Sequence, residues 1–293
     1  MSTAQTHWQW PALAATLPAQ AGFALLEKVA NTDRVRFPAE EEAWINARGL
    51  GGTHLPEDGD RPPNEMRWRR AFRLVQLIDH ADLYIASTRR ASWIEANVTV
   101  EGAWPAAGPI LAVTCHWGAG LWALRHLARS GHPAHFLARA LEDDAPNADA
   151  WHRRYGRLRI RATERASHAP VIYTGGATDR IAAAWNRGGS IVALCDVPLP
   201  PGRSKIDVPF RGRTLQMPRG LIALACARGI PVVTFASGPD RATGKRWLGI
   251  ALARVYTDQQ ELAMDLARHL ERLIERDTAA WHMWPYASQL VTR

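Results

Sequence analysis

The chain has 293 residues, 47% of them hydrophobic and 22% charged, the proportions of a folded protein with a substantial core and not of a disordered or collagen-like chain. Lys and Arg number 36 against 28 Asp and Glu, a formal net charge of +8, which points to an acidic partner: anionic lipid, an acidic carrier protein or nucleic acid. Three cysteines, Cys115, Cys195 and Cys226, form no CxxC pair, and no His/Cys cluster has zinc spacing, so a disulfide framework and a structural metal are both disfavoured and a reducing compartment is expected.

Residues 1–30 have no basic stretch followed by an apolar block, and Pro11 and Pro18 interrupt their Ala/Leu runs, so no secretory leader is read there. No run reaches the roughly 18–20 apolar residues that span a bilayer. A seat on a membrane surface stays open, and the thirteen tryptophans suit either a core or a half-wet interface. A helix is predicted at 19–30, then an acidic patch at Glu40, Glu41 and Glu42. The Gly-, Pro- and Asp-rich stretch 49–63 is the candidate linker. It divides the chain into an N-terminal helical extension and linker over 1–63 and a main domain over 64–293.

From Asn64 to about Ser92 apolar residues recur at three- and four-residue spacing, the sign of a helix. This helix carries six arginines, at 67, 69, 70, 73, 89 and 90, compatible with a solvated face or with a membrane-surface face. Short apolar runs then alternate with helical stretches. Strands are predicted at 110–114, 134–137, 171–173, 190–194 and 231–235, and helices at 119–130, 144–155, 176–187, 216–228 and 258–277. Gly131, Gly188-Gly189 and Gly229 each follow a helix and precede a strand, as helix C-caps do. The pattern predicts an α/β domain with a mainly parallel central sheet flanked by helices.

In open α/β sheets ligands gather beyond the carboxyl ends of the strands. The first predicted strand runs into His116 and a Gly-containing turn, which places a residue suited to general-base work at the mouth of the sheet. Cys115 beside it invites a Cys-His acyl-enzyme. In extended chain, however, neighbouring side chains point to opposite faces, which leaves Cys115 in the core. Residues 152–165 hold six arginines against one glutamate, compatible with a solvated basic face or with phosphate binding. A Gly pair at 175–176 precedes a helix, a weak phosphate-cradle signal. No zinc finger, RNP-type sequence or other nucleic-acid motif is present, and no nucleic acid is expected as a partner.

The run GPILAVTCHWGAGLW resembles the first block of the lipid A late acyltransferase family, within the wider lysophospholipid acyltransferase superfamily. HFLARALEDDAPN resembles the family's Arg-bearing strand and places Arg139 there. GGSIVALCDVPLPPGRSKIDVPFRGR is similar to a later block, with Asp196, Gly202, Val208, Pro209 and Phe210 in matching places. MPRGLIALACARGIPVVTF and the aromatic ending AAWHMWPYA follow in order, so the resemblance spans about residues 65–293.

The resemblance implies an acyltransferase that moves a fatty acyl chain from an acyl thioester, on acyl carrier protein or CoA, to a hydroxyl of a lipid A-like or other anionic envelope lipid. It implies His116 as base, Arg139 and Asp196 as catalytic partners, and Arg203, Lys205 and Gly202 beside the acceptor. It further implies an apolar tunnel for the acyl chain, a peripheral seat on the cytoplasmic face of the inner membrane, and no metal or organic cofactor. The family's acid five residues after the histidine falls here on Leu121. Asp196, Glu142 and Asp143 are the carboxylates that stand to replace it. The same departure leaves a second reading: a degenerate member that binds lipid or carrier protein without transfer.

Overall fold

The structure, a computed structural model, describes residues 3–32, 35, 37, 39–55, 64–140, 150–200 and 202–292. Seven strands form the central sheet: β1 (Val98–Glu101), β2 (Leu111–Thr114), β3 (Ala134–Ala138), β4 (Ile172–Tyr173), β5 (Ser190–Leu194), β8 (Val232–Pro239) and β9 (Arg246–Ile250), in the order β1-β9-β8-β2-β5-β3-β4. The run β8-β2-β5-β3-β4 is parallel throughout, and β9 joins β8 antiparallel. The α/β class with a mainly parallel sheet is therefore observed. β6 (Lys205–Phe210), β7 (Arg213–Pro218) and β10 (Val291–Thr292) make a second, antiparallel sheet.

Alternating side chains sort the helices onto two faces. Leu111, Val113, Ile191 and Ala193 share a core with α8 (Thr178–Asn186), α9 (Arg219–Arg228) and α10 (Gln259–Arg276). Ala112 and Val192 face the other way, with α6 (Leu121–Arg129) and α7 (Ala150–Ser167). From β2 the chain crosses through α6 to β3, on one side; from β5 it travels to β8, on the other. β2 and β5 are therefore adjacent strands whose onward connections diverge, the arrangement that opens a crevice beyond their carboxyl ends.

The helices α1 (Thr3–Thr16), α2 (Ala19–Ala30) and α3 (Glu40–Gly49) precede α4 (Glu65–Thr88), and α5 (Ala91–Ala96) follows it. Helix α1 runs through Pro11, which the sequence reads as an interruption. Ala14 and Ala15 are buried, and packing of α1 on α4 outweighs the single backbone hydrogen bond that proline forfeits. The predicted linker is ordered over its first part: the Gly52 carbonyl accepts from the Trp68 indole at 3.1 Å, and Leu55 enters the main core. Its remainder, 56–63, lies outside the described residues, as does the predicted helix start at 144–149.

Helix α4 buries much of its surface, Arg73 included. It is a spine that contributes Trp68, Phe72, Leu74, Val75, Leu77, Ile78, Leu83 and Ile85 to the cores around it. Arg73, Asp79 and Asp82 turn inward because each meets a partner there. The Arg73 guanidinium reaches both oxygens of Glu40 at 2.6 and 2.7 Å. Asp82 receives Arg246 and the Trp122 indole, and Asp79 receives Arg159. Among the described residues no helix is long and apolar enough to cross a membrane, and no His, Cys, Asp and Glu group is arranged to hold a metal ion.

Candidate active site

The register of β2 on β5 builds the site. Leu111 pairs with Ile191 and Thr114 with Leu194, a constant offset that continues past the strand ends to set Cys115 beside Cys195 and His116 beside Asp196. The Cys115 and Cys195 sulfurs lie 3.4 Å apart in the core. Burial, then the Cys195 neighbour, pushes the Cys115 thiol well above its ordinary range, which suits a packing role and not a nucleophile. His116 stays partly open, with 32% of its side chain exposed, while the Asp196 side chain is fully covered.

His116 Nδ1 stands 3.0 Å from Asp196 Oδ1. The His116 backbone N–H donates to both carboxylate oxygens, at 3.0 and 2.8 Å, and the Trp281 indole donates to Oδ2 at 2.7 Å. With the carboxylate oxygens accepting, Nδ1 carries the ring proton and Nε2 keeps its lone pair. Among the described residues no hydrogen bond engages Nε2, and the ring is partly exposed.

The turn after His116 is tightly made. Gly118 has φ +69°, and a Cβ there would sit 2.3 Å from the Ser237 carbonyl oxygen, so only glycine fits. The Gly118 N–H donates to the Ala280 carbonyl at 2.9 Å, and the His282 N–H donates to the His116 carbonyl at 2.7 Å. Residues 116–118 are thereby bridged antiparallel to 280–282 through Trp117 and Trp281. The His282 ring donates from Nε2 to the Gly118 carbonyl at 2.6 Å. Burial lowers its pKa, opposed by the charge of Asp79. Behind this layer Asp79 is bound by Arg159, which also reaches the Tyr155 hydroxyl at 3.2 Å. One of the six arginines of 152–165 is therefore an internal partner.

The remaining sequence-predicted residues stand elsewhere. Arg139 follows β3 with an exposed side chain, and β3 is separated from β2 by β5. Gly202 and Arg203 lie exposed on the loop before β6. Lys205 opens β6 and borders an open depression with Arg219, Thr257 and Gln260, away from His116. Glu142 and Asp143 lie outside the described residues. Leu121, at the place of the family's acid, begins α6 and is buried among apolar side chains. The Gly175-Gly176 pair is exposed ahead of α8.

An apolar hollow lies between α1, α2, α4 and α6, lined by Leu26, Ile78, Trp93 and Trp122 among others. It holds about 20 Å³ and does not include His116. That is room for about one water, not for a hydrocarbon tail. Neither this hollow nor the depression at Lys205 is lined by His116.

No protein-family model matches the chain, and no curated protein matches it. Among solved structures it is similar to the crystal structure of the 1-acyl-sn-glycerophosphate acyltransferase PlsC from Thermotoga maritima, at 12% identity and a TM-score of 0.39, over 80% of this chain and 96% of that one.

Sequence reading assigned no role to Trp281, His282 and Asp79. The signal for Asp196 as the replacement acid is the matched pair of Cys-His and Cys-Asp at the ends of two apolar runs, which predicts adjacency once β2 and β5 are known to be neighbours. The signal for Trp281 is weaker, since thirteen tryptophans offer the same indole.

Proposed function

We propose that the chain is an acyltransferase, moving a fatty acyl group from a thioester on acyl carrier protein or CoA to a hydroxyl of a lipid A-like or other anionic envelope lipid. The observation that carries this reading is the His116–Asp196 pair at the strand ends, with its imidazole partly open and its orienting carboxylate buried. The colinear motifs around it support the same reading.

In this mechanism His116 Nε2 takes the acceptor hydroxyl proton as the oxygen attacks the thioester carbonyl. Asp196 keeps the ring in the tautomer that leaves Nε2 basic and stabilises the imidazolium that forms. As the tetrahedral adduct collapses, the carbon–sulfur bond breaks and the proton passes from His116 to the leaving thiolate. Transfer is direct, with no covalent enzyme intermediate, in keeping with the buried Cys115. Arg139, Gly202, Arg203 and Lys205 stand apart from the dyad, and the resemblance alone offers them as contacts for the acceptor's anionic groups. The exposed Arg157, Arg161 and Arg165 of α7 favour a peripheral seat on the anionic cytoplasmic face of the inner membrane.

Full-length protein incubated with acyl-carrier thioester and lipid acceptors, wild type beside His116→Ala, tests the reading. His116→Ala is expected to lower transfer by roughly a hundredfold or more. Equal transfer from both proteins rejects catalysis and leaves a binder of lipid or carrier protein.

A further inference from the structure

The segment 277–284 lies far along the chain from the dyad yet supplies part of its setting. Its backbone bridges residues 116–118, and its Trp281 is fully buried. The Trp281 ring is wedged edge-on against Trp284, with centroids 4.7 Å apart, and tilted against Phe210. That packing leaves the indole little freedom to turn, and its single N–H is spent on Asp196 Oδ2 at 2.7 Å.

The two oxygens of Asp196 are unequal in consequence. The His116 backbone N–H is shared between them, whereas Oδ2 alone takes the indole and Oδ1 alone takes the imidazole. A carboxylate pinned at Oδ2 cannot rotate about its terminal bond without losing a hydrogen bond in a site closed to water. Its other oxygen, Oδ1, is thus aimed at Nδ1.

We infer that Trp281 is a positioning residue that acts through Asp196 on His116: its indole N–H fixes the carboxylate so that Oδ1 captures the Nδ1 proton and Nε2 remains the base. In a chain lacking the family's acid five residues after the histidine, the carboxylate arrives from a neighbouring strand and needs a second element to orient it. Trp281 is that element. The inference rests on His116 acting as the base, but its spectroscopic test needs no turnover.

The test is nitrogen NMR of the full chain labelled at histidine, with the His116 signals assigned by their loss in His116→Gln. In the wild type at alkaline pH the shifts are expected to report a protonated Nδ1 and an unprotonated Nε2. In Trp281→Phe the two nitrogens move toward averaged shifts, and turnover with the acyl-thioester substrate falls roughly tenfold with little change in KM. Trp104→Phe is the matched control: it removes the same ring volume and an indole N–H that donates to His126 Nδ1 at 2.9 Å, and it packs in a different core from Trp281. It should leave the His116 shifts at wild-type values.

Wild-type shifts in Trp281→Phe, or equal changes in both variants, overturn the inference. Should Trp281→Phe fail to fold, benzothienylalanine at position 281 keeps the shape and deletes only the N–H, with the same expected shifts. Moved shifts in a protein without transferase activity would sink the proposed function and leave the positioning role standing. Retained activity with unmoved shifts would do the reverse.

Discussion

Replacing Asp79 with Asn probes the charge network behind the site, and its effect can be worked from the structure. Asp79 is buried on α4, and Arg159 binds both of its oxygens. Burial by itself raises the carboxyl pKa, but the charges of Arg159, His282 and His80 outweigh it and hold the group at about 2 against an ordinary 3.8. A depression of that size corresponds to about 2 kcal/mol of stability. Because the folded pKa lies below the unfolded one, the contribution is complete above pH 3.8 and is lost as the pH falls toward 2. Truncating one partner of a buried ion pair costs about 3–5 kcal/mol. The Arg159 side chain is 40% exposed and can rehydrate, so the expected loss for Asp79→Asn at neutral pH is nearer 2 kcal/mol than 5.

Urea unfolding of wild type and Asp79→Asn along a pH series measures this directly. Other carboxylates titrate in both proteins, so the gap between the two curves isolates Asp79. The gap should hold constant from neutral pH to about pH 5 and close progressively below pH 3.8. A gap that ignores pH, or one below about 0.5 kcal/mol at neutral pH, would refute the view that this ion pair governs the carboxyl.

Three further outcomes are expected. Gly118→Ala forces a Cβ against the Ser237 carbonyl from a left-handed backbone, so thermal unfolding should report a loss of about 2 kcal/mol or more, and transfer should drop with it. Leu121→Asp restores the family's acid at its usual place but sets it among apolar side chains; chemical denaturation should show a loss of about 3 kcal/mol with no gain in transfer. Burial lowers the His269 pKa to about 4. The fold should therefore lose roughly 3 kcal/mol as the pH falls from 6.5 through 4, and His269→Gln should flatten unfolding curves in that window.

The parallel core was legible because its strands are short apolar runs bounded by turn residues and its helices carry a 3.6-residue period. β5 was predicted at 190–194 and lies there, and α2 was predicted at 19–30 and lies there. β6 escaped notice because Pro209 argues against a strand. It survives since β6 is an edge strand that pairs with β7 alone. α4 was recognised as a helix, but sequence counts its charges without showing that Arg73, Asp79 and Asp82 meet Glu40, Arg159 and Arg246. At the site, His116 and Asp196 were singled out separately. Their contact depends on strand order, which periodicity does not encode, and the role of Trp281 depends on a bridge between residues about 165 positions apart, the kind of long-range closure local pattern cannot foresee.

Imidazole, carboxylate and indole come from three widely separated stretches of polypeptide. A fragment ending at β4 would carry the imidazole and no carboxylate; one ending at α10 would carry both with nothing to steady them. The hydrogen-bonded trio is thus complete only when β5 has joined β2 and the distal segment has docked.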